Sequence, residues 1–178
     1  MSTEEEPTLV PVEAAAEEPA PAATPLTEPA SLAATRAEIQ ELDVDQPQVA
    51  ILMGSKSDLP AMEQAETELT ERGIRSETRV MSAHREPDVV AEYAKNAKLR
   101  GIRVIIAGAG LSAALPGVVA AHSELPVIGV PLTSRTSVAG GLDALLSISQ
   151  MPPGVPVACV GVDNARNAAV LAARILAA

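Results

Sequence analysis

His84 and Arg85 lie side by side in the stretch Val80-Met81-Ser82-Ala83-His84-Arg85-Glu86-Pro87. Histidine exchanges a proton near neutral pH at its ordinary pKa, and arginine is a permanent cation shaped for phosphate or carboxylate. The pair therefore puts an acid/base group beside an anion clamp. A second stretch, Gly54-Ser55-Lys56-Ser57-Asp58, offers two hydroxyls and backbone amides at a helix start, where the helix dipole favours an anion such as phosphate. Ser57 or Asp58 can equally serve as the cap of that helix. The stretch also lacks the Gly-Lys-Ser/Thr ending of nucleotide hydrolases. A third, Gly108-Ala109-Gly110, reads as a loop whose backbone either approaches a ligand closely or turns the chain tightly. His122, late in a helical stretch beside Ser123-Glu124, reads as structural or surface.

These stretches need elements to hold them. Val49-Ala50-Ile51-Leu52-Met53 is a continuous apolar run ending at Gly54, as expected for a strand buried on both faces. After the serine-rich loop, Met62, Ala65 and Leu69 recur on one helical face until Gly73. Ile74 to Val80 carries Arg75, Glu77 and Arg79 and reads as a half-exposed edge strand. Ser82 to Pro87 is a loop, and Val89, Val90, Tyr93, Ala94 and Ala97 mark a second helix. Arg103 to Ala107, Pro126 to Val130 and Val155 to Val162 supply the remaining strands. The helices between and after them end near Ser123, Ser149 and Leu176, the last with Ala168, Leu171, Ala172 and Ile175 inward. Strands alternating with helices imply a three-layer α/β/α sandwich around a five-stranded parallel sheet of flavodoxin-like order 2-1-3-4-5. In such a sheet ligands bind beyond the strand carboxyl ends at the switch point, so the loops after strands one, two and three converge there.

Composition narrows the function classes. Of 178 residues with net charge −10, residues 1–48 hold eleven carboxylates and a single arginine, leaving the remainder with twelve charges of each sign. That acidic Pro/Ala-rich leader, residues 1–47, has too little apolar surface to offset the entropy of ordering and is expected to be disordered, apart from a brief helix at Thr35–Leu42. It lacks the basic and apolar regions of a signal peptide and is too acidic for a transit peptide. The folded domain is residues 48–178. No apolar run reaches the ~18 residues of a membrane span, and a lone cysteine, Cys159, lies in an apolar run as a buried, inert thiol. A soluble cytoplasmic protein fits. With Tyr93 as its sole aromatic and no basic excess, the chain is not expected to bind nucleic acid.

Taken in order, Gly54-Ser55-Lys56-Ser57-Asp58, Ser82-Ala83-His84-Arg85-Glu86-Pro87, and Gly108-Ala109-Gly110 followed by Ala114-Leu115-Pro116-Gly117 resemble the N5-carboxyaminoimidazole ribonucleotide mutases of purine biosynthesis. Gly141 to Ser147 and Gln150-Met151-Pro152 add to the likeness, which covers Val49 to Leu176. The resemblance implies a flavodoxin-like fold, a homo-octamer with sites near subunit contacts, and an isomerase that needs no metal, biotin or ATP. That isomerase moves a carboxyl group from the exocyclic amine of an aminoimidazole ribonucleotide to ring carbon four. It implies His84 as the catalytic histidine, Ser55, Asp58 and Arg85 as substrate-binding residues, and Ser57, Ser82, Gly108, Ala109 and Gly110 near the ligand. One departure stands out: where the family usually reads G-G-A-A-H-L-P-G, this chain has Gly110-Leu111-Ser112-Ala113-Ala114-Leu115-Pro116-Gly117, with Ala114 in the histidine's place. The alternatives are a direct aminoimidazole ribonucleotide carboxylase, a carboxylase acting on a pyridine nucleotide, and a non-catalytic binder of phosphoribosyl ligands.

Overall fold

A computed structural model describes residues 46–178. The expectations for the leader, its short helix included, lie outside the described residues. Five strands, β1 (Val49–Met53), β2 (Ser76–Val80), β3 (Val104–Gly110), β4 (Val127–Leu132) and β5 (Ala158–Cys159), form one parallel sheet in the order β2-β1-β3-β4-β5. Five α-helices among the described residues cover it: α1 (Leu59–Glu71), α2 (Pro87–Asn96), α3 (Leu115–His122), α4 (Leu142–Ser149) and α5 (Ala165–Ala177). The expected flavodoxin-like order is thus the observed one.

The period-2 alternation of a strand divides the interior into two cores. Val49, Ile51 and Met53 of β1, with Val104 and Ile106 of β3, face Met62, Ala65 and Leu69 of α1 and Ala165, Ala168, Ala169 and Ala172 of α5. Ala50, Leu52, Ile105, Ala107 and Ala109 face the other way, onto Val90 and Ala94 of α2, Leu115 and Val119 of α3, and Ala144 and Ile148 of α4. Alanine-rich inner faces let these helices lie close to the sheet, so the core fills without large aromatics.

Close approach is sharpest at Gly129 in β4. A Cβ there would lie 2.3 Å from Ile148 Cγ2 and 2.9 Å from Val157 Cγ1. We expect Gly129→Ala to cost about 1–3 kcal/mol by overpacking, seen as a lower denaturant midpoint. An unchanged midpoint would show that α4 moves aside freely.

The edge strand β2 is fastened by polar contacts instead. Glu77 accepts a hydrogen bond from the Tyr93 hydroxyl at 2.6 Å and pairs with Arg79 at 3.1 Å and with Arg100, whose guanidinium lies 4.5 Å from the Tyr93 ring centroid. Burial alone would raise the Glu77 pKa, but the Tyr93 bond and the two arginines outweigh it and hold the carboxyl below its usual range. Burial, reinforced by the carboxylate, pushes the Tyr93 hydroxyl up. The buried Glu68 of α1, which hydrophobic periodicity could not flag, is paired with Arg72 and Arg166. The bonds from Arg72 and then Arg166 lower its pKa, and the one from Arg166 ties α1 to α5.

Among the differences from the sequence reading are two strand boundaries and the burial of one side chain. Strand β5 shrinks from Val155–Val162 to Ala158–Cys159, because Pro156 has no N–H to give a ladder and a turn closes at Val155 N–H to Pro152 O, 3.2 Å. Strand β3 runs three residues further than expected. Gly108, Ala109 and Gly110 are ladder residues opposite Val130, Pro131 and Leu132 rather than a loop. Cys159 is half-buried rather than fully buried, its thiol pKa raised by burial.

Candidate active site

The first turn beyond the sheet follows β1. Ser55 takes an extended backbone and caps the short 3-10 turn Lys56–Asp58. Its Oγ accepts the Ser57 N–H at 3.2 Å, while its own N–H donates to Asp58 Oδ2 at 3.1 Å. This reciprocal capping box makes Ser55 the cap of the 3-10 turn, while Asp58, one of the two cap candidates, holds the N-cap position of α1 without a side-chain cap bond. The Ser57 hydroxyl donates to Ser55 Oγ at 2.9 Å. Two hydroxyls and one carboxylate are thereby fixed relative to each other.

The second turn follows β2. Met81 N–H donates to Met53 O at 2.8 Å, extending the β1–β2 ladder to the edge of the loop. Ser82 is buried; its carbonyl accepts the Glu86 N–H at 2.8 Å and its hydroxyl oxygen the Arg85 N–H at 3.4 Å. That turn leaves His84 and Arg85 exposed on the outside of the bend. Arg85 Nη2 reaches across to donate to Gly54 O at 2.7 Å, bridging the two loops. Among the described residues nothing hydrogen-bonds the His84 imidazole, so both ring nitrogens are available to a ligand.

The third wall begins at Gly110, where a Cβ would lie 2.9 Å from the Leu132 carbonyl oxygen; a glycine lets β3 end tight against β4. Leu111 follows with φ +56, a left-handed conformation that costs a residue with a side chain about 1–2 kcal/mol. Ala113 N–H closes the turn onto Gly110 O at 3.1 Å.

These turns enclose a cleft of about 390 Å³ at the carboxyl ends of the strands, around the switch point between β1 and β3. Ser55, Ser57, Asp58, Ser82, His84, Arg85, Ala109 and Gly110 all line it. Gly108 does not. It lies one residue deeper, where an added Cβ would meet Met62 Sδ at 2.4 Å, so its small size serves the packing of α1. The wall also includes Ala113, Ala114 and Leu115, an apolar surface at the position where a histidine would add polarity. Thr133 and Ser134, just past β4, complete it. They were missed as site residues, although the polar run after an apolar strand was the available signal. His122 is elsewhere, its Nδ1 3.1 Å from Val118 O in its own helix. A groove of about 370 Å³ along α1, with Arg166 from α5, lies on the helical flank and is lined by Glu63, Glu68 and Glu71. It holds no acid/base histidine. Among the described residues there is no cluster of three or more metal-ligating side chains.

A parallel sheet that gathers serines, a bridging arginine and a histidine in a cleft at its switch point has the arrangement at which open α/β sheets bind ligands. The family model described as AIR carboxylase matches residues 48–178, and the chain belongs to that family. The N5-carboxyaminoimidazole ribonucleotide mutase of Thermotoga maritima is 61% identical over 130 residues, covering 73% of this chain and 75% of that protein. The protein of the same name from Pyrococcus horikoshii is 57% identical over 132 residues, 74% of this chain and 73% of that one. Among solved structures, Treponema denticola PurE matches with a TM-score of 0.66 at 36% identity, covering 74% of this chain and 81% of that one.

Proposed function

We propose that this chain is an isomerase of purine biosynthesis that converts N5-carboxyaminoimidazole ribonucleotide to 4-carboxy-5-aminoimidazole ribonucleotide. The observation that carries the reading is the convergence of Ser55, Asp58, His84 and Arg85 on one cleft in a chain whose relatives bear the mutase name over most of their length. Ser55 and Arg85 hold the phosphate and Asp58 a ribose hydroxyl.

Chemistry then needs one proton moved twice. Protonated His84 delivers its proton to the carbamate nitrogen, the N–C bond breaks, and carbon dioxide and the electron-rich aminoimidazole are left side by side. Ring carbon four attacks the carbon dioxide, and the surplus ring proton passes to His84, which ends as it began. Retaining carbon dioxide is a matter of proximity, which the apolar Ala113-Ala114-Leu115 wall favours by excluding water. Ala114 leaves this wall without the family's usual imidazole, so the proton transfers fall to His84 alone.

The test is conversion of the carbamate ribonucleotide by purified protein without ATP. Conversion only from aminoimidazole ribonucleotide plus bicarbonate would replace the mutase with a direct carboxylase. Binding without either conversion would make the chain a ligand-binding relative.

The same reading includes a homo-octamer in the cytoplasm. Leu111, Val138 and Leu146 are exposed around a depression that adjoins the cleft at Leu111, and burying such side chains favours self-association. Light scattering on the same preparation is expected to give eight copies; a monomer at micromolar concentration would sink the assembly. Among the described residues no helix is long and apolar enough to cross a membrane.

A further inference from the structure

We infer that Asp163, remote in sequence from the three motif loops, is a positioning residue that builds the Thr133–Ser134 wall of the cleft. The inference rests on the isomerase reading of that cleft. It starts from the pairing of β4 with β5. Ile128 and Gly129 pair with Ala158 and Cys159. The contacts then continue through Val160 N–H to Gly129 O at 3.1 Å and Asp163 N–H to Pro131 O at 2.8 Å. Beyond the strand the chain turns over residues 161–164, closed by Asn164 N–H to Gly161 O at 3.2 Å. Asp163 takes the third position of that turn with φ +53, a left-handed conformation that aspartate tolerates better than most residues.

The turn brings the Asp163 carboxylate back onto Thr133. Oδ1 accepts the Thr133 N–H at 2.8 Å, and Oδ2 accepts the Thr133 hydroxyl at 2.6 Å. Both are charge-assisted bonds of short length. They fix the first residue beyond β4 at two points, just where the chain leaves the sheet and lines the cleft. Ser134 is steadied next, its N–H donating to Ser137 Oγ at 2.8 Å. Because the Thr133 hydroxyl hydrogen is committed to Asp163, its oxygen offers a ligand only an acceptor. At Thr133 the wall then favours a ligand N–H or O–H over a phosphate oxygen. This separates it from the Ser55 and Arg85 side of the cleft and orients the nucleotide with its phosphate away from Thr133.

The experiment compares Asp163→Gly, which keeps the left-handed backbone without strain, with Asp163→Asn, which keeps an acceptor, and with Thr133→Val. Steady-state assays on the carbamate ribonucleotide and calorimetric binding of the product nucleotide are run on each full-length variant, with thermal melting alongside. We expect Asp163→Gly to lower kcat/KM at least tenfold and Asp163→Asn to recover part of the loss. In the Thr133→Val background, Asp163→Gly should cost less than twofold more. A folded Asp163→Gly within twofold of wild type in both kcat/KM and affinity would overturn the proposal. So would losses that add fully to those of Thr133→Val, because a merely structural role would not route through the threonine. Wild-type conversion reports on the isomerase reading and the ratio of variant to wild type on Asp163, so the two fail separately. If wild type binds the nucleotide without converting it, the affinity ratio alone decides.

Discussion

Replacing His84 with asparagine is expected to abolish turnover, with kcat lower by roughly 10²–10⁴-fold and nucleotide affinity within about tenfold of wild type. Asparagine is polar and close in size, but it cannot take up and release a proton near neutral pH. The fold should not notice the change, since His84 is exposed and nothing among the described residues hydrogen-bonds its ring. A loss of kcat without a loss of affinity is the signature of an interaction needed in the transition state rather than in the bound ground state. The check is a single-turnover assay and calorimetry on one preparation. Substantial residual activity would remove His84 from the proton-transfer role.

The second large effect is expected at Arg85. Its guanidinium already bridges to Gly54 O at 2.7 Å, so the second loop is held against the first before any ligand arrives. Arg85→Ala deletes both that bridge and a cation. At about 1.5–3 kcal/mol for a hydrogen bond to a charged group, KM should rise roughly 10- to 100-fold, with a smaller change in kcat. Arg85→Lys should recover only part, because an ammonium supplies the charge without the planar fork. Melting should stay close to wild type, as Arg85 is exposed. A kcat effect larger than the KM effect would move Arg85 from holding the phosphate to assisting the chemistry.

Much of this architecture was legible in the sequence because its signals are local. The run Val49–Met53 reads as a strand buried on both faces, and all five of its residues are fully buried. The charged alternation of β2 marked an edge, which is where it lies. Eight of the nine expected site residues line one cleft, since each sat in a turn directly after a strand and parallel strands deliver such turns to the same end of the sheet.

The failures share a different cause. Gly108-Ala109-Gly110 looked like a loop because glycine is poor in strands. The neighbours decide otherwise: Met62 and the Leu132 carbonyl crowd the positions where side chains would be. Val155–Val162 looked like a full strand, yet only Ala158 and Cys159 pair in register with β4 before the chain turns away at residues 161–164.

By itself, then, the sequence determined the alternation of strands and helices, the edge position of β2 and the loop that carries His84 and Arg85, because periodicity and turn chemistry act within a few residues. Only the tertiary structure decided that Gly108 belongs to packing, that Ser55 rather than its neighbours caps the first turn, and that Asp163 holds Thr133 from thirty residues away. Those outcomes depend on which atoms meet across strands, and contact at that distance leaves no periodic trace along the chain.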